Sequence, residues 1–240
     1  MTGSILNAAG IVLGGIAGLT VQKQLSAAIQ NYLKIALGAA ALFIGLRLTW
    51  LNVNGSFTQV AKQTVIIFLA LILGRLVGRL LRLQKLSNRI GQPAREQIAR
   101  ASAGNKPAWS DGFNTVTLLF CAAPLAVIGA TQDGLSGNIL PLAIKTVMDA
   151  LAAMSFAAMF GWSAALAGLP VFAWQGTLTL LCSQFAQPLL AQHGLLDPVN
   201  ATAGMLLVYV AVVILEVRRV ELADYLPALA IAPLLAWLWQ

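Results

Sequence analysis

Apolar residues follow one another along this chain in runs of about 20, the length needed to cross a hydrocarbon core of about 30 Å. The runs are continuous, and they lack the alternation of apolar and polar positions that is typical of strands. Inside a lipid bilayer only helices and closed barrels satisfy the hydrogen bonds of the backbone. The pattern therefore predicts an all-α protein, a polytopic bundle of transmembrane helices.

The runs divide the chain into about eight predicted spans, which form a single integral membrane domain over residues 1–240. Three spans lie in residues 1–83, a basic segment occupies residues 84–112, and the others lie in residues 113–240. The predicted spans are Gly3–Thr20, Tyr32–Trp50, Gln63–Leu83, Phe113–Ala130, Ile139–Trp162, Pro170–Ala191, Ala201–Val217 and Leu222–Trp239.

The composition agrees with a lipid environment. Of the 240 residues, 59% are apolar and only 10% are charged, whereas a soluble domain carries about 25% charged residues. Residues 1–22 contain no Lys or Arg, so we predict a permanent first span and no signal peptide. Cys121 and Cys182 lie in apolar runs, and their spacing indicates neither a disulfide framework nor a metal site.

The net charge of +7 is distributed unevenly along the chain. Basic residues cluster beside the apolar spans, which favours an orientation signal over a nucleic-acid partner. If the basic segment is cytoplasmic, both termini lie outside, and the outer side holds only Arg47 and Lys62. The cytoplasmic side then collects Lys23, Lys34, Arg75, Arg79, Arg82, Lys85, Arg89, Arg95, Arg100, Lys106, Arg218 and Arg219.

Four segments carry a resemblance to a known family: GSILNAAGIVLGGIAGL, TLLFCAAPLAVIGATQDGLSGN, KTVMDALAAMSFAAMFG and LPVFAWQGTLTLL. In their order and spacing, and in the QDG triplet, the KxxxD pair and the late Gln-Gly, they resemble the DUF554 family. This family comprises YqgA/YdfK-like bacterial inner-membrane proteins of unknown function, often assumed to be transporters. The resemblance covers nearly the whole chain and implies a multi-pass protein of the bacterial inner membrane.

Two internal alignments are compatible with a duplication, which is the usual sequence pointer to a transporter. In one, the first span matches the fifth and Asn7 stands opposite Asp149, which gives a parallel repeat. In the other, spans one to three match spans six to eight, with Asn7–Gly10 near Ala173–Gly176, which inverts the repeat. The sequence leaves both alignments open.

Asp149 is the sharpest candidate for a functional residue. It lies about ten residues into the fifth predicted span, near 15 Å along a helix. There an ionised carboxylate costs at least a few kcal/mol unless it is paired, protonated or in contact with water. Lys145, one turn away on the same face, offers a purely structural ion pair as the alternative. Asn7 and Gln175 either converge with Asp149 on a polar path or hydrogen-bond between helices.

Gln132 and Asp133 fall with Gly134 in a predicted turn, at what would be the outer mouth of such a path. Arg75 has a predicted depth similar to that of Asp149, and a pair between the two is one hypothesis.

The other hypothesis makes Arg75 part of a basic stripe that continues on a helix leaving the membrane. The stripe would bind the headgroups of anionic lipids. Its further members are Arg79, Arg82, Lys85 and Arg89.

Glycines recur at a spacing of four on two predicted spans: Gly10, Gly14 and Gly18 on the first, and Gly74 and Gly78 on the third. Because glycine has no side chain, a neighbouring helix can approach closely along such a stripe. We predict helix packing at these positions, with a homo-oligomer seam or a thin-walled pore as alternatives.

No catalytic, phosphate-binding or metal-binding motif is present, so we expect neither an enzyme nor a cofactor nor a metal. The leading hypothesis is a small secondary transporter or channel for an ion or small solute, with Asp149 as its central titratable group. The alternative is a non-transporting assembly or lipid-organising protein. In that case the glycine stripes form interfaces and the basic stripe holds anionic lipid.

Overall fold

A computed structural model describes residues 1–20, 26–103 and 108–239 of the chain. The described residues contain α-helices and no strand, which confirms the predicted all-α fold. Two basic residues of the predicted cytoplasmic side, Lys23 and Lys106, lie outside the described ranges.

The helices cover nearly all of the described chain, with a π-helical turn at Cys182–Ala186. In chain order they are α1 Thr2–Thr20, α2 Ala27–Leu51, α3 Phe57–Leu80, α4 Leu83–Ser102, α5 Trp109–Ala122, α6 Pro124–Ser136, α7 Leu140–Phe160, α8 Trp162–Leu166, α9 Gly168–Leu181, α10 Gln187–Gln192, α11 Leu196–Ile214, α12 Leu222–Tyr225 and α13 Ala228–Leu238.

Six helical stretches of the described chain are long and apolar enough to cross a membrane, and α8 to α10 form one of them, Trp162–Gln192. Helices α5 and α6, which correspond to the fourth predicted span, are bent by 60° against each other, and they make a seventh stretch if the bent pair is counted as one. The bend lies between Ala122 and Pro124, where proline cannot donate the helical hydrogen bond. The sequence predicts a continuous span here, whereas the structure shows a broken one.

The eighth predicted span is also broken, into the short helices α12 and α13. These helices run antiparallel along α3: Gly78 packs on the backbone of Asp224, and the Lys62 ammonium contacts the carbonyl of Trp239. The C-terminal segment therefore packs along most of the length of α3. The predicted count of about eight spans is accordingly approximate.

Helix α1 runs antiparallel to α9, α2 runs antiparallel to α11, and α3 runs antiparallel to α12 and α13. Between α2 and α11, for example, Gly38 faces Leu215 whereas Gly45 faces Gly204. These are spans one, two and three packed on spans six, seven and eight. The inverted alignment matches the same spans, but the parallel alignment matches the first span with the fifth, and α1 also packs on α7, so these contacts do not distinguish the two alignments.

The glycine stripe of α1 lies against α7, which runs parallel to it. A Cβ atom on Gly14 would lie 2.2 Å from the carbonyl oxygen of Ala150, and one on Gly18 would lie 2.1 Å from that of Met154. Such distances are far below van der Waals contact, so only glycine permits this approach. On α3, Gly78 is similarly close to the α12 backbone.

Helix α3 ends before the basic stripe is complete. Arg82 adopts a left-handed conformation with φ of 55°, and α4 begins at Leu83 in a new direction. The predicted third span to Leu83 is therefore shortened to Leu80, and the basic stripe does not continue on a single helix. The N-terminus of α4 is fixed by Asp224, whose carboxylate accepts from the backbone N–H of Gln84 at 2.8 Å.

Candidate functional site

Helices α1, α7 and α9 meet through polar side chains inside the bundle. Asn7 lies on the same face of α1 as Gly14 and Gly18, because residues three to four positions apart share a helix face. The glycines bring α1 and α7 so close that the short side chain of Asn7 reaches across the contact. On α9 the nearest polar residue is Gln175, which is also completely buried.

An ion pair stands at the centre of this contact. The Lys145 ammonium donates to Oδ2 of Asp149 at 2.6 Å, and the two side chains are only 2% and 8% exposed. The Asn7 amide donates to the same carboxylate oxygen at 3.0 Å and to Oε1 of Gln175 at 3.2 Å. The structure thus brings together Asn7, Lys145, Asp149 and Gln175, which we call the α1–α7–α9 cluster.

Two amide atoms of the cluster remain without a hydrogen-bond partner among the described residues: Oδ1 of Asn7 and Nε2 of Gln175. One is an acceptor and the other a donor, and both are shielded from solvent. Leaving a buried polar atom unpaired costs about 1–3 kcal/mol. The cluster therefore retains hydrogen-bonding capacity that the protein itself does not use.

Further polar contacts lead from the cluster to the end of the bundle where α1 begins. Ser4 and Thr179 share a hydrogen bond at 3.1 Å between their hydroxyl oxygens, one turn away from Asn7. The Asp133 carboxylate follows, and it accepts from the backbone N–H of Gly3 at 3.1 Å and from the amine of Met1 at 3.3 Å. These contacts tie α1 to α9 and α6.

Gln132 and Asp133 do not lie in a turn, as the sequence suggested, but in helix α6, and both are buried. The chain reverses only at Gly137, which has a positive φ of 64°. Asp133 is satisfied by the backbone of Gly3, and Gln132 donates to Asn200 at 3.1 Å. Because both side chains find partners within the bundle, neither forms an exposed mouth.

Asn200 is a buried residue that sequence reasoning missed. Its Oδ1 accepts from Gln132 and from the Ser136 hydroxyl, and its amide donates to Asn52 at 3.2 Å. Oε1 of Gln132 has no partner among the described residues. The only signal in the sequence was an amide at the start of an otherwise apolar run.

The break between α5 and α6 lies beside the ion pair. Phe120, one turn before the break, places its ring 5.6 Å from the Lys145 ammonium. Pro124 has no N–H, so the Phe120 carbonyl loses its usual helical donor. The ion pair is therefore adjacent to an interrupted helix.

Arg75 does not pair with Asp149. Its guanidinium lies 5.4 Å from the ring centroid of Tyr225, near the junction of α11 and α12. The reason is that two residues at the same depth in the membrane make contact only if their side chains lie on helix faces that pack against each other. Arg79 pairs with Glu221 at 3.3 Å, and the remaining members of the basic stripe are exposed: Arg82, Lys85 and Arg89.

Comparison with known proteins identifies relatives along the whole chain. A family model described as "Protein of unknown function (DUF554)" matches residues 2–237. The chain is 25% identical to "Uncharacterized membrane protein YdfK" of Bacillus subtilis, covering 97% of this chain and 94% of that protein. It is 27% identical to "Uncharacterized protein YqgA" of Escherichia coli, covering 99% and 97%. No solved structure matches it significantly. Like these relatives, the chain belongs to the DUF554 family of membrane proteins.

Proposed function

We propose that this protein is a small secondary transporter or channel for an ion or small solute in a bacterial inner membrane. The observation that carries the proposal is the buried pair of Lys145 and Asp149, hydrogen-bonded to amides that keep unused polar atoms. Ionisable side chains inside a membrane bundle are costly, and they mark ion and proton pathways in many transporters.

Two further features support the proposal. Secondary transporters commonly bind their substrates beside interrupted helices, and the α5–α6 break lies next to Lys145. They are also commonly built from inverted repeats. The antiparallel packing of spans one to three on spans six to eight is compatible with such a repeat.

In a transporter of this kind, the described conformation would be an occluded state. Side chains that are 2% and 8% exposed do not exchange an ion with bulk water as they stand. Transport therefore requires the α1–α7–α9 cluster to open toward one side of the membrane. A proton or a cation on Asp149 would weaken its attraction to Lys145, and the flexible stem of that lysine would allow it to withdraw.

Reconstitution in liposomes tests this role. Wild-type protein, Asp149→Asn and the control Asp197→Asn would be assayed for proton and cation fluxes under imposed gradients. Asp197 is exposed, so its substitution removes the same charge without touching the cluster. We expect flux in the wild type and in Asp197→Asn, and its loss in Asp149→Asn. Equal fluxes in all three proteins would remove Asp149 from the mechanism.

In the proposed orientation, the end of the bundle that carries α4 (Leu83–Ser102) lies in the cytoplasm and both termini lie outside, as the positive-inside rule predicts. We call this the α4 end of the bundle. Single cysteines at the exposed positions Thr58, Gln192 and Arg95 would test it in a variant without native cysteines. An impermeant thiol reagent added to intact spheroplasts should modify the first two positions but not the third. Modification of position 95 from outside would reverse the assignment.

The alternative function, a non-transporting lipid-organising protein, is favoured by one observation. Helix α4 exposes the apolar side chains of Leu86 and Ile90 beside Lys85 and Arg89, as helices at a membrane surface do. Anionic lipid would then co-purify with the wild type and be lost when Arg82, Lys85 and Arg89 are neutralised. Such a result, together with an absence of flux under every gradient, would favour this function over transport.

A further inference from the structure

A polar cavity of about 440 Å³ lies at the α4 end, between α3, α11 and α12. It is separate from the α1–α7–α9 cluster, and the functions considered above do not use it. Its charged and aromatic lining residues are Arg75, Arg218, Arg219, Glu221, Tyr209 and Tyr225.

Positive charge exceeds negative charge in this cavity. Among the described residues, Glu221 is the only acidic one that lines the cavity, and its carboxylate already pairs with Arg79, which lies outside the cavity. Arg218 and Arg219 are exposed and make no ion pair with any described residue. The cavity therefore presents arginines whose charges the surrounding protein leaves largely uncompensated.

An aromatic contact positions Arg75 in the cavity. Its guanidinium lies over the ring of Tyr225, which in turn packs edge-on against Tyr209 at 5.1 Å between ring centroids. Its Nε is shielded from solvent and has no acceptor among the described residues. A charged donor that is fixed by an aromatic face but lacks an acceptor is one that an anionic ligand would satisfy.

We propose that this cavity binds a phosphate-bearing anion. The planar fork of arginine matches the oxygens of a phosphate group, and several arginines can share its charge. Basic pockets between transmembrane helices are also known sites for phospholipid headgroups. The phosphate group would supply the acceptor that Nε of Arg75 lacks and would neutralise Arg218 and Arg219.

Two sources provide this chemistry: the headgroup of an anionic lipid and a soluble phosphate. Purified protein in detergent would be titrated separately with phosphatidylglycerol and with inorganic pyrophosphate, and complexes would be quantified by native mass spectrometry. Phosphatidylcholine, which has a zwitterionic headgroup, serves as the reference lipid. Selective binding of phosphatidylglycerol assigns a lipid site, and binding of pyrophosphate assigns a soluble ligand. Failure of the wild type to bind either probe overturns the proposal.

Matched variants separate the cavity from general charge attraction. Arg218→Gln with Arg219→Gln removes two exposed charges of the cavity, and these substitutions do not disturb the packed interior. The control, Arg95→Gln with Arg100→Gln, removes two exposed charges of α4 outside the cavity. We expect the cavity variant to bind the probe about tenfold more weakly or worse, and the control to change by less than about twofold. Equal weakening in both variants would show attraction to a basic surface and overturn the proposal.

A further variant, Arg75→Lys, keeps the charge but removes the forked donors. It should weaken binding of the same probe about tenfold. Its thermal unfolding, measured without ligand, shows whether the fold is intact. Unchanged affinity in a folded Arg75→Lys protein would exclude Arg75 from the site and overturn the proposed geometry.

Discussion

Breaking the buried ion pair from one side should destabilise the protein far more than removing the whole pair. In Lys145→Met, the Asp149 carboxylate would stay buried with only the Asn7 amide as its donor. Loss of one partner of a buried pair typically costs about 3–5 kcal/mol. The side chains of Lys145 and Asp149 are 2% and 8% exposed, so solvent provides little compensation and we expect a value in this range.

The double variant Lys145→Met with Asp149→Asn leaves no charge to bury. The side-chain oxygen of the new asparagine can still accept from Asn7, so the hydrogen bond to α1 is retained. Replacing a buried pair by neutral groups is often neutral or stabilising, and we expect the double variant within about 2 kcal/mol of the wild type. The two single substitutions should therefore be strongly non-additive.

Unfolding of the detergent-solubilised protein by a stronger detergent would measure these free energies, with the fluorescence of the six tryptophans as the signal. Single and double variants form a double-mutant cycle, which isolates the energy of the pair. If the double variant loses as much stability as the two single variants together, the pair is not coupled as the contact implies. The same double variant also separates stability from transport: it should be folded but inactive if flux requires the charge on Asp149.

Three more substitutions test the glycine packing and the contact that holds the start of α4. Gly14→Ala places a Cβ atom 2.2 Å from the carbonyl oxygen of Ala150. This substitution should destabilise the protein by about 1–3 kcal/mol in the same unfolding assay. The control Gly91→Ala, whose Cβ atom has no neighbouring atom within 4 Å, should be neutral or stabilising. Asp224→Ala removes the acceptor of the Gln84 N–H and should accelerate cleavage of α4 by trypsin; an unchanged cleavage rate would mean that this contact does not hold α4.

The sequence was sufficient for the class of fold because apolar runs of about 20 residues are visible directly in the order of the residues. The apolar run at the N-terminus became α1 with nearly the expected ends, Thr2 and Thr20. The breaks in the fourth and eighth spans were harder to predict because a hydropathy pattern measures the polarity of a segment, not its continuity. Pro124 was visible, but whether a membrane helix bends at a proline depends on the neighbouring helices that satisfy the freed backbone groups.

The residues of the α1–α7–α9 cluster could be predicted from the sequence because burying a polar side chain within an apolar run costs free energy, which marks such residues as unusual. Asn7, Lys145, Asp149 and Gln175 were all identified in this way, and the structure brings them into contact. The suggested pair with Arg75 was wrong because sequence gives the depth of a residue but not the direction of its helix face.

Packing alone does not account for the α1–α7–α9 cluster. Apolar side chains of similar volume at these positions would avoid the desolvation of both charges, and such replacements of buried pairs are often stabilising. They would also avoid the unpaired Oδ1 of Asn7 and Nε2 of Gln175. The glycine contact between α1 and α7 supplies close packing without any need for polar groups. A cluster that is more polar than its packing requires, and that adjoins an interrupted helix, is what the proposed transport role would lead us to expect, and the double-mutant cycle tests whether stability alone accounts for it.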